Sequence, residues 1–166
     1  MSFSMYQLLV DHREGLVAQL SKALGKSAPA YAAMPKARVR EEMGHLFDGV
    51  VDHIAAGDSG KMEAYFLYLV RRTGQNLELA DVVMGLLTVP VVLRQFLQAA
   101  YREQVVGGGR AAYEQTITEV EEGCHKAVRR FCELYEEHVK EKVRIHNEEG
   151  GEKMGEQFNR LILFRG

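Results

Sequence analysis

The sequence predicts an all-α protein, a bundle of five helices with a long C-terminal helix. Two observations lead to this fold class. Apolar residues recur at spacings of three and four along nearly the whole chain, which is the period of one face of an α-helix. Several glycines and prolines, among them Gly25, Pro29, Pro35, Gly57 and Gly74, fall at the ends of these periodic segments, where they begin or terminate helices.

The first two helices are predicted from about Ser4 to Leu24 and from Pro35 to Gly57. The segment between them, Tyr31 to Met34, reads as a short irregular stretch or a single turn. Pro35 is favourable at a helix start because its fixed φ suits the first turn, and Gly57 is placed to end the second helix.

The third helix is predicted from about Lys61 to Thr73, with Asp58 or Ser59 as its cap and Gly74 as its stop. The two cysteines, Cys124 and Cys132, are eight residues apart on a predicted helix, which separates them by about 12 Å and prevents a disulfide. We expect two buried thiols in a reduced, cytoplasmic protein.

The fourth helix, about Leu77 to Val106 with Asn76 as its cap, is apolar on every face in its middle. Residues 82–93 carry no charge, so this stretch is expected to be buried on all sides or to cover its extra face with another subunit. Pro90 removes one backbone donor and predicts a kink. Because a kink beside small and soft side chains favours a pocket, we expect a ligand pocket at Met84, Thr88 and Pro90.

The fifth helix, from Ala111 to about His146, would measure roughly 54 Å, against about 32 Å for the first helix. Its end should therefore project from the bundle, and its mixed charges suit pairing with a second copy. The apolar seam is Tyr113, Ile117, Val120, Cys124, Ala127, Phe131, Leu134 and His138. The predicted dimer interface consists of Phe131, Leu134, Tyr135 and His138.

The chain is thus expected to divide into a helical sensory and dimerisation domain, 1–146, and a glycine-containing tail, 147–166. The tail ends in an apolar cluster, Phe158 to Phe164, which either docks onto a partner or has no role. The net charge of −2 removes the electrostatic signature of a nucleic-acid binder. No secretory signal opens the chain, and the charge-free run 82–93 is shorter than the ~20 residues of a membrane helix, so no membrane insertion is expected.

Two Glu-x-x-His steps, Glu42…His45 and Glu122…His125, are the spacing that di-iron bundle proteins use. On helical wheels His45 lies about 160° from the centre of its apolar stripe and Glu122 about 160–170° from its own, so both point to solvent. We therefore expect no metal site, no cofactor and no catalytic residues. His12 and His138 fall on apolar stripes, where half-buried, hydrogen-bonded histidines are expected.

Four segments of the chain resemble the N-terminal sensory domains of stressosome co-antagonist proteins of the RsbR and RsbRD type. The resemblance rests on residues 8–16 (LLVDHREGL), on Ala30-Tyr31, on Gly57-Asp58 and on residues 74–83 (GQNLELADVV). It implies a non-haem, globin-like sensory domain of bacterial signalling that dimerises and passes a signal through its last helix. Members of that family usually continue into an output domain, whereas this sequence ends after a tail of about 20 residues.

These observations predict a non-enzymatic, cytoplasmic stress-response signalling domain that forms a homodimer and relays a signal to a protein partner. The alternative is a haem- or metal-binding helical protein with a redox or gas-sensing role. Visible absorbance and elemental analysis of the purified protein distinguish the two. A third hypothesis is a pure interaction protein that docks through its tail.

Overall fold

The computed structural model describes residues 3–75, 77–104 and 109–148. Within these ranges the regular structure is helical throughout, so the predicted all-α bundle with a long C-terminal helix is confirmed. The helices are α1 (Phe3–Asp11), α2 (Arg13–Ser27), α3 (Pro29–Ala32), α4 (Lys36–Ala56), α5 (Gly60–Arg72), α6 (Leu79–Arg102) and α7 (Arg110–Glu148).

The first predicted helix is divided in two at His12, which separates α1 from α2. The backbone hydrogen bonds from His12 N to Leu8 O and from Leu16 N to His12 O are still formed. Helical hydrogen bonding therefore continues on both sides of the division. The next residue, Arg13, donates to both oxygens of Asp48 on α4, each at 2.7 Å. The predicted single turn before the second helix is the four-residue α3.

Two glycines end helices where the sequence predicts. Gly57 takes a left-handed conformation with φ of 69° and its N–H donates to His53 O, which closes α4. Gly74 has φ of 85° after α5. At the start of α5, Ser59 is the N-cap residue and its side chain makes no capping bond, whereas Asp58 Oδ1, one residue earlier, accepts from Gly60 N at 2.9 Å.

Helix α6 is shorter than predicted and is buried on one side only. It begins at Leu79, because Leu77 pairs with Thr73 in an isolated bridge, and the predicted cap Asn76 lies outside the described residues. Val82, Leu86, Val89 and Leu93 face the core, whereas Met84, Leu87 and Val91 are exposed. The expectation that the middle of this helix is buried on all sides is therefore wrong for the single chain.

The chain divides into two compact units, Met1–Phe131 and Cys132–Gly166, and α7 runs across the division. The first unit contains the large core side chains Phe47, Phe66 and Phe131. The predicted boundary after residue 146 falls near the end of α7, at Glu148. The apolar cluster of the tail lies outside the described residues.

Candidate functional site

A carboxylate is buried between α4 and α5. Glu42 is only 1% exposed, and its two oxygens accept hydrogen bonds from both helices. Tyr65 donates to Oε2 at 2.9 Å, and Tyr68 donates to Oε1 at the same distance. Arg72 Nη1 lies 2.7 Å and Arg38 Nη2 3.0 Å from Oε1. An isolated buried carboxylate would be strongly disfavoured, so these four donors are what allows Glu42 to stay inside.

Two donors of this network, Tyr65 and Arg38, hold their protons more strongly than usual. Burial, with further contributions from Tyr31 and Glu42, raises the pKa of the Tyr65 hydroxyl well above its ordinary value. The charge of Glu42 raises the pKa of the Arg38 guanidinium. Burial also raises the pKa of the neighbouring Tyr31, again helped by Glu42. The Tyr65 hydroxyl therefore acts as a hydrogen-bond donor to the carboxylate and not as an acid.

The network forms one wall of an open cleft of about 610 Å³, which is within the size range of small-molecule sites. The lining residues are Arg38, Glu41, Glu42, His45, Asp48, Lys61, Ala64, Tyr65 and Tyr68. Its aromatic rings follow one another, with centroids 5.9 Å apart for His45 and Tyr65 and 6.0 Å for Tyr65 and Tyr68. An aromatic row between charged ends can accept a small polar molecule with a flat apolar part.

The charges at the rim of the cleft are paired. Asp48 accepts two hydrogen bonds from Arg13, which raises the pKa of that guanidinium. Lys61 Nζ lies 2.7 Å from Asp52 Oδ2, and Arg38 Nη1 lies 2.7 Å from Glu41 Oε2. A charged ligand in this cleft would have to replace one of these ion pairs with its own contacts. Its binding would therefore alter contacts of both α4 and α5.

One glycine sets the distance between the two helices. A Cβ at Gly49 of α4 would lie 2.8 Å from Met62 Cα and 2.9 Å from Met62 N, on the backbone of α5. Only glycine allows this approach, because the atoms in the way belong to a helix backbone that cannot move aside locally. The close contact holds α4 and α5 at the separation at which Tyr65 and Tyr68 reach Glu42.

Helix α5 also contacts α7. Arg130 Nε donates to Glu63 Oε1 at 2.9 Å, and the Phe66 ring meets the Phe131 ring edge-on with centroids 5.6 Å apart. These contacts lie in the last turn of α7 before the second unit begins at Cys132. The same thirteen-residue helix therefore lines the cleft and contacts the point where the first unit ends.

A second, smaller cleft of about 190 Å³ contains His12. The His12 ring packs on Phe96 of α6 with centroids 5.2 Å apart, and the residue is exposed at the bend between α1 and α2. The expectation of a half-buried His12 is corrected: the bend turns the ring onto the surface of α6. His138 is half-buried, as expected.

The residues of the predicted ligand pocket lie on or beside the exposed face of α6. Met84 is 40% exposed, and Thr88 Oγ1 donates to Met84 O at 2.7 Å. Pro90 is half-buried, and α6 continues through it. The two clefts described above are lined by other residues, and a pocket at Met84, Thr88 and Pro90 stays a prediction.

The predicted dimer interface is partly occupied within the chain. Phe131 is fully buried against Phe66 within the same chain, and the dimer interface as a whole stays a prediction. Leu134 is also buried, whereas Tyr135 and His138 are half-buried. The spacing of the seam identified apolar positions correctly, but it could not say whether the same chain or a second one covers them.

The residues of the two Glu-x-x-His steps and the two cysteines differ in burial. His45, Glu122 and His125 are exposed, as their helical positions indicate. Among the described residues, no group of three or more His, Cys, Asp or Glu side chains is arranged to hold a metal ion. Cys124 is buried, which raises the pKa of its thiol to about 12, but Cys132 is exposed, which corrects the expectation of two buried thiols.

The position of Glu42 at the centre of a site was not predicted from the sequence. Glu42 lies about 100° from the centre of its apolar stripe, at the edge where burial depends on the neighbouring helix. The third predicted helix, which is α5 in the structure, contains a pattern that could have indicated this site. Its Tyr65, Tyr68 and Arg72 recur at spacings of three and four and so share a face. Polar donors on one face of a short helix predict a buried acceptor opposite them.

Comparison of the chain with family models, with curated proteins and with solved structures finds no match. The fold and the cleft define the protein as an all-α helical bundle with a buried carboxylate network. By length and mean hydropathy (1.6), α6 is the one described helix that could cross a membrane, and 39% of its most apolar window is buried inside the protein. Core helices of soluble proteins pass the same test.

Proposed function

We propose that the protein is a non-enzymatic signalling module, of the kind found at the N-terminus of stressosome co-antagonist proteins. In this proposal the cleft between α4 and α5 receives the stimulus as a small ligand. The segment of α7 from Cys132 onward presents the signal to a protein partner. The resemblance of residues 8–16 and 74–83 to those sensory domains supports the proposal.

The observation that carries this proposal is the position of α5. One face of the helix donates Tyr65, Tyr68 and Arg72 to the cleft network. Its contacts with α7 are the ion pair of Glu63 with Arg130 and the edge-on packing of Phe66 on Phe131. A shift of α5 that follows ligand binding is therefore transmitted to the residue that directly precedes Cys132.

Cys132 offers a native position for measuring this transmission. Its thiol is exposed, while Cys124 is buried and the pKa of its thiol is raised to about 12, so a thiol reagent at neutral pH labels Cys132 selectively. A nitroxide attached to Cys132 reports the mobility of α7 at the start of the second unit. Labelling of the Cys132→Ser variant measures any background from Cys124.

The test compares the electron paramagnetic resonance spectra of labelled proteins that differ in the cleft. Tyr68→Phe removes one donor to Glu42, and Glu42→Gln removes its charge; we expect both to change the mobility of the label. Asp11→Asn, which alters an exposed hydrogen bond with Gln7 within α1, is the control and should leave the spectrum unchanged. Identical spectra for wild type and a folded Tyr68→Phe variant would contradict the proposed transmission.

A further inference from the structure

The cleft between α4 and α5 has hydrogen-bond donors to spare. Within the part of the chain that the structure describes, Arg38 donates through Nη1 and Nη2, and its Nε–H makes no bond. Lys61 contacts only Asp52 among those residues, which leaves two of its three N–H groups over. The exposed ring of His45 makes no hydrogen bond with them either. These side chains can donate to a ligand and keep the bonds that they already make.

The acceptors of the cleft, in contrast, are nearly all in use. Each oxygen of Glu42 accepts a tyrosine hydroxyl, and each oxygen of Asp48 accepts from Arg13. Glu41 is the exception: its Oε2 lies 2.7 Å from Arg38 Nη1, while its Oε1 accepts no bond from any described residue. A ligand that brings acceptor oxygens therefore fits this cleft better than one that brings donors. A carboxylate brings two such oxygens in one group and makes strong bonds to a guanidinium.

Glu41 is the carboxylate that an incoming anion would displace most easily. Four ion pairs hold the charges of the cleft: Arg13–Asp48, Arg38–Glu41, Lys61–Asp52 and Arg72–Glu42. These charges cancel, so an anion gains most by taking the place of one of the four carboxylates. The Glu41 side chain is 55% exposed, more than the other three, and an exposed ion pair contributes little because water solvates both charges.

Aromatic rings lie next to Arg38. The Arg38 guanidinium carbon is 5.9 Å from the centroid of the Tyr68 ring, and the row continues through Tyr65 to the exposed His45. Ring pairs attract one another beyond the apolar area that they bury, because the positive edge of one ring meets the negative face of another. A ligand with an aromatic ring close to its carboxylate can therefore use the guanidinium and the rings together.

We propose that the cleft binds a small aromatic carboxylic acid in its ionised form, whose carboxylate takes the place of Glu41 on Arg38 and whose ring packs against Tyr68 and His45. Glu41 is then an internal competitor that occupies Arg38 in the free protein. This inference rests on the proposed role of the cleft as the ligand site, and it adds the chemical class of the ligand. For an acid with a single ring we expect a dissociation constant on the order of 1 mM.

The first test is a titration of the full chain, labelled with ¹⁵N, with phenylacetate, followed by the amide chemical shifts. We expect saturable shifts in α4 and α5. Two matched ligands separate the features: benzylamine has the ring with the opposite charge, and cyclohexylacetate has the carboxylate on a saturated ring. Both should bind about fivefold more weakly or less. Equal binding of all three ligands, or no saturable shift with phenylacetate, would overturn the proposal.

Variants of the cleft test the position of the carboxylate. Arg38→Met should weaken phenylacetate binding about tenfold, and Glu41→Gln should strengthen it about threefold because the competitor is gone. Lys61→Met and Asp52→Asn are the matched controls. They remove the same two charges at the other end of the cleft, seven residues or about 10 Å along α5 from Tyr68, and should change the affinity less than twofold. Equal effects in the two pairs, or weaker binding by Glu41→Gln, would contradict the proposal.

Arg38→Lys keeps the test decisive if Arg38→Met does not fold. It retains the positive charge and loses only the planar guanidinium, and Glu42 keeps its bonds from Tyr65 and Arg72. We expect phenylacetate to bind this variant about threefold more weakly than the wild type. Unchanged affinity in a folded Arg38→Lys variant would remove Arg38 from the site.

The nitroxide at Cys132 separates this inference from the proposed transmission. Saturable phenylacetate binding that leaves the spectrum of the label unchanged would support the ligand class and contradict the transmission. A spectrum that changes in Tyr68→Phe, in a protein that does not bind phenylacetate, would refute the ligand class and leave the transmission standing.

Discussion

Ionisable side chains line most of the cleft between α4 and α5, whereas the α6 patch, which consists of Met84, Leu87, Thr88 and Val91, has none. In the cleft Glu42 is buried, and the carboxylates Glu41, Glu42 and Asp48 each have a guanidinium partner within the same chain. On α6 the apolar side chains of the patch are exposed. The usual rule of apolar residues inside and polar residues outside is thus reversed at Glu42 and in the α6 patch.

Because of this reversal, the two regions contribute differently to the stability of the folded chain. The cleft contributes to stability through the buried Glu42, because the hydrogen bonds that Glu42 accepts come from both α4 and α5. Removing Glu42 would therefore break all of these bonds at once. The α6 patch contributes less to the stability of one chain than the core face of α6 does, because Met84, Leu87 and Val91 keep 40%, 41% and 53% of their surface exposed after folding. In each region a buried residue is followed or preceded in the chain by an exposed one of the same type, so the effect of burial on stability can be measured by substituting both.

The largest effect is expected from Glu42→Ala, with Glu41→Ala as its control. Removing the buried carboxylate leaves the buried Tyr65 hydroxyl without the acceptor at 2.9 Å and takes an ion-pair partner from Arg72, and we expect the free energy of unfolding to fall by about 4 kcal/mol. Glu41 is exposed and pairs with Arg38 on the surface, so its loss should cost less than about 1 kcal/mol. Urea unfolding followed by circular dichroism measures both, and equal effects would show that the network is not stabilising.

The second pair is Leu86→Ala and Leu87→Ala on α6. Leu86 is 2% exposed in the core, and its truncation should lower the free energy of unfolding by about 3 kcal/mol through lost burial and the cavity that remains. Leu87 is 41% exposed, and its truncation should cost less than about 1 kcal/mol at low protein concentration. A large cost for Leu87→Ala in the monomer would mean that the patch is covered by its own chain.

The sequence predicted the helices well because their limits depend on local chemistry. Apolar spacing of three and four, the left-handed Gly57 and Gly74 and the hydrogen bond from Gly60 N to Asp58 all act within a few residues. The division at His12 was not predicted. It lies beside Arg13, whose contact with Asp48 is long-range and has no signal in the local spacing.

The site was harder to predict, because it depends on which helices become neighbours. Nothing near Glu42 in the chain indicates that Tyr65 and Arg72 will face it, since this requires α5 to pack antiparallel against α4. Phe131 shows the same limit in the apolar seam of α7. Periodicity gives the apolar face of a helix, and only the packing determines whether the same chain or a second one covers that face.

The smallest expected effect concerns the contact that brings the two walls of the cleft together. Gly49→Ala would place a methyl group 2.8 Å from Met62 Cα, and α4 and α5 must separate to accept it. We expect a loss of about 2 kcal/mol in the free energy of unfolding, because a backbone in the way can yield only by moving a whole helix. Gly25→Ala in α2 is the control, since nothing lies within 4 Å of its added methyl group, and it should raise stability by about 0.5–1 kcal/mol.

Gly49→Ala also tests whether the close contact of α4 with α5 is needed for the hydrogen bonds to Glu42. If Gly49 affects only the close packing of α4 on α5, the losses in the free energy of unfolding caused by Glu42→Ala and Gly49→Ala should be additive in the double variant. If Gly49 instead sets the separation at which Tyr65 and Tyr68 reach Glu42, moving the helices apart already weakens those bonds. The double variant should then lose less than the sum of the two single costs, and additive costs would contradict this role for Gly49.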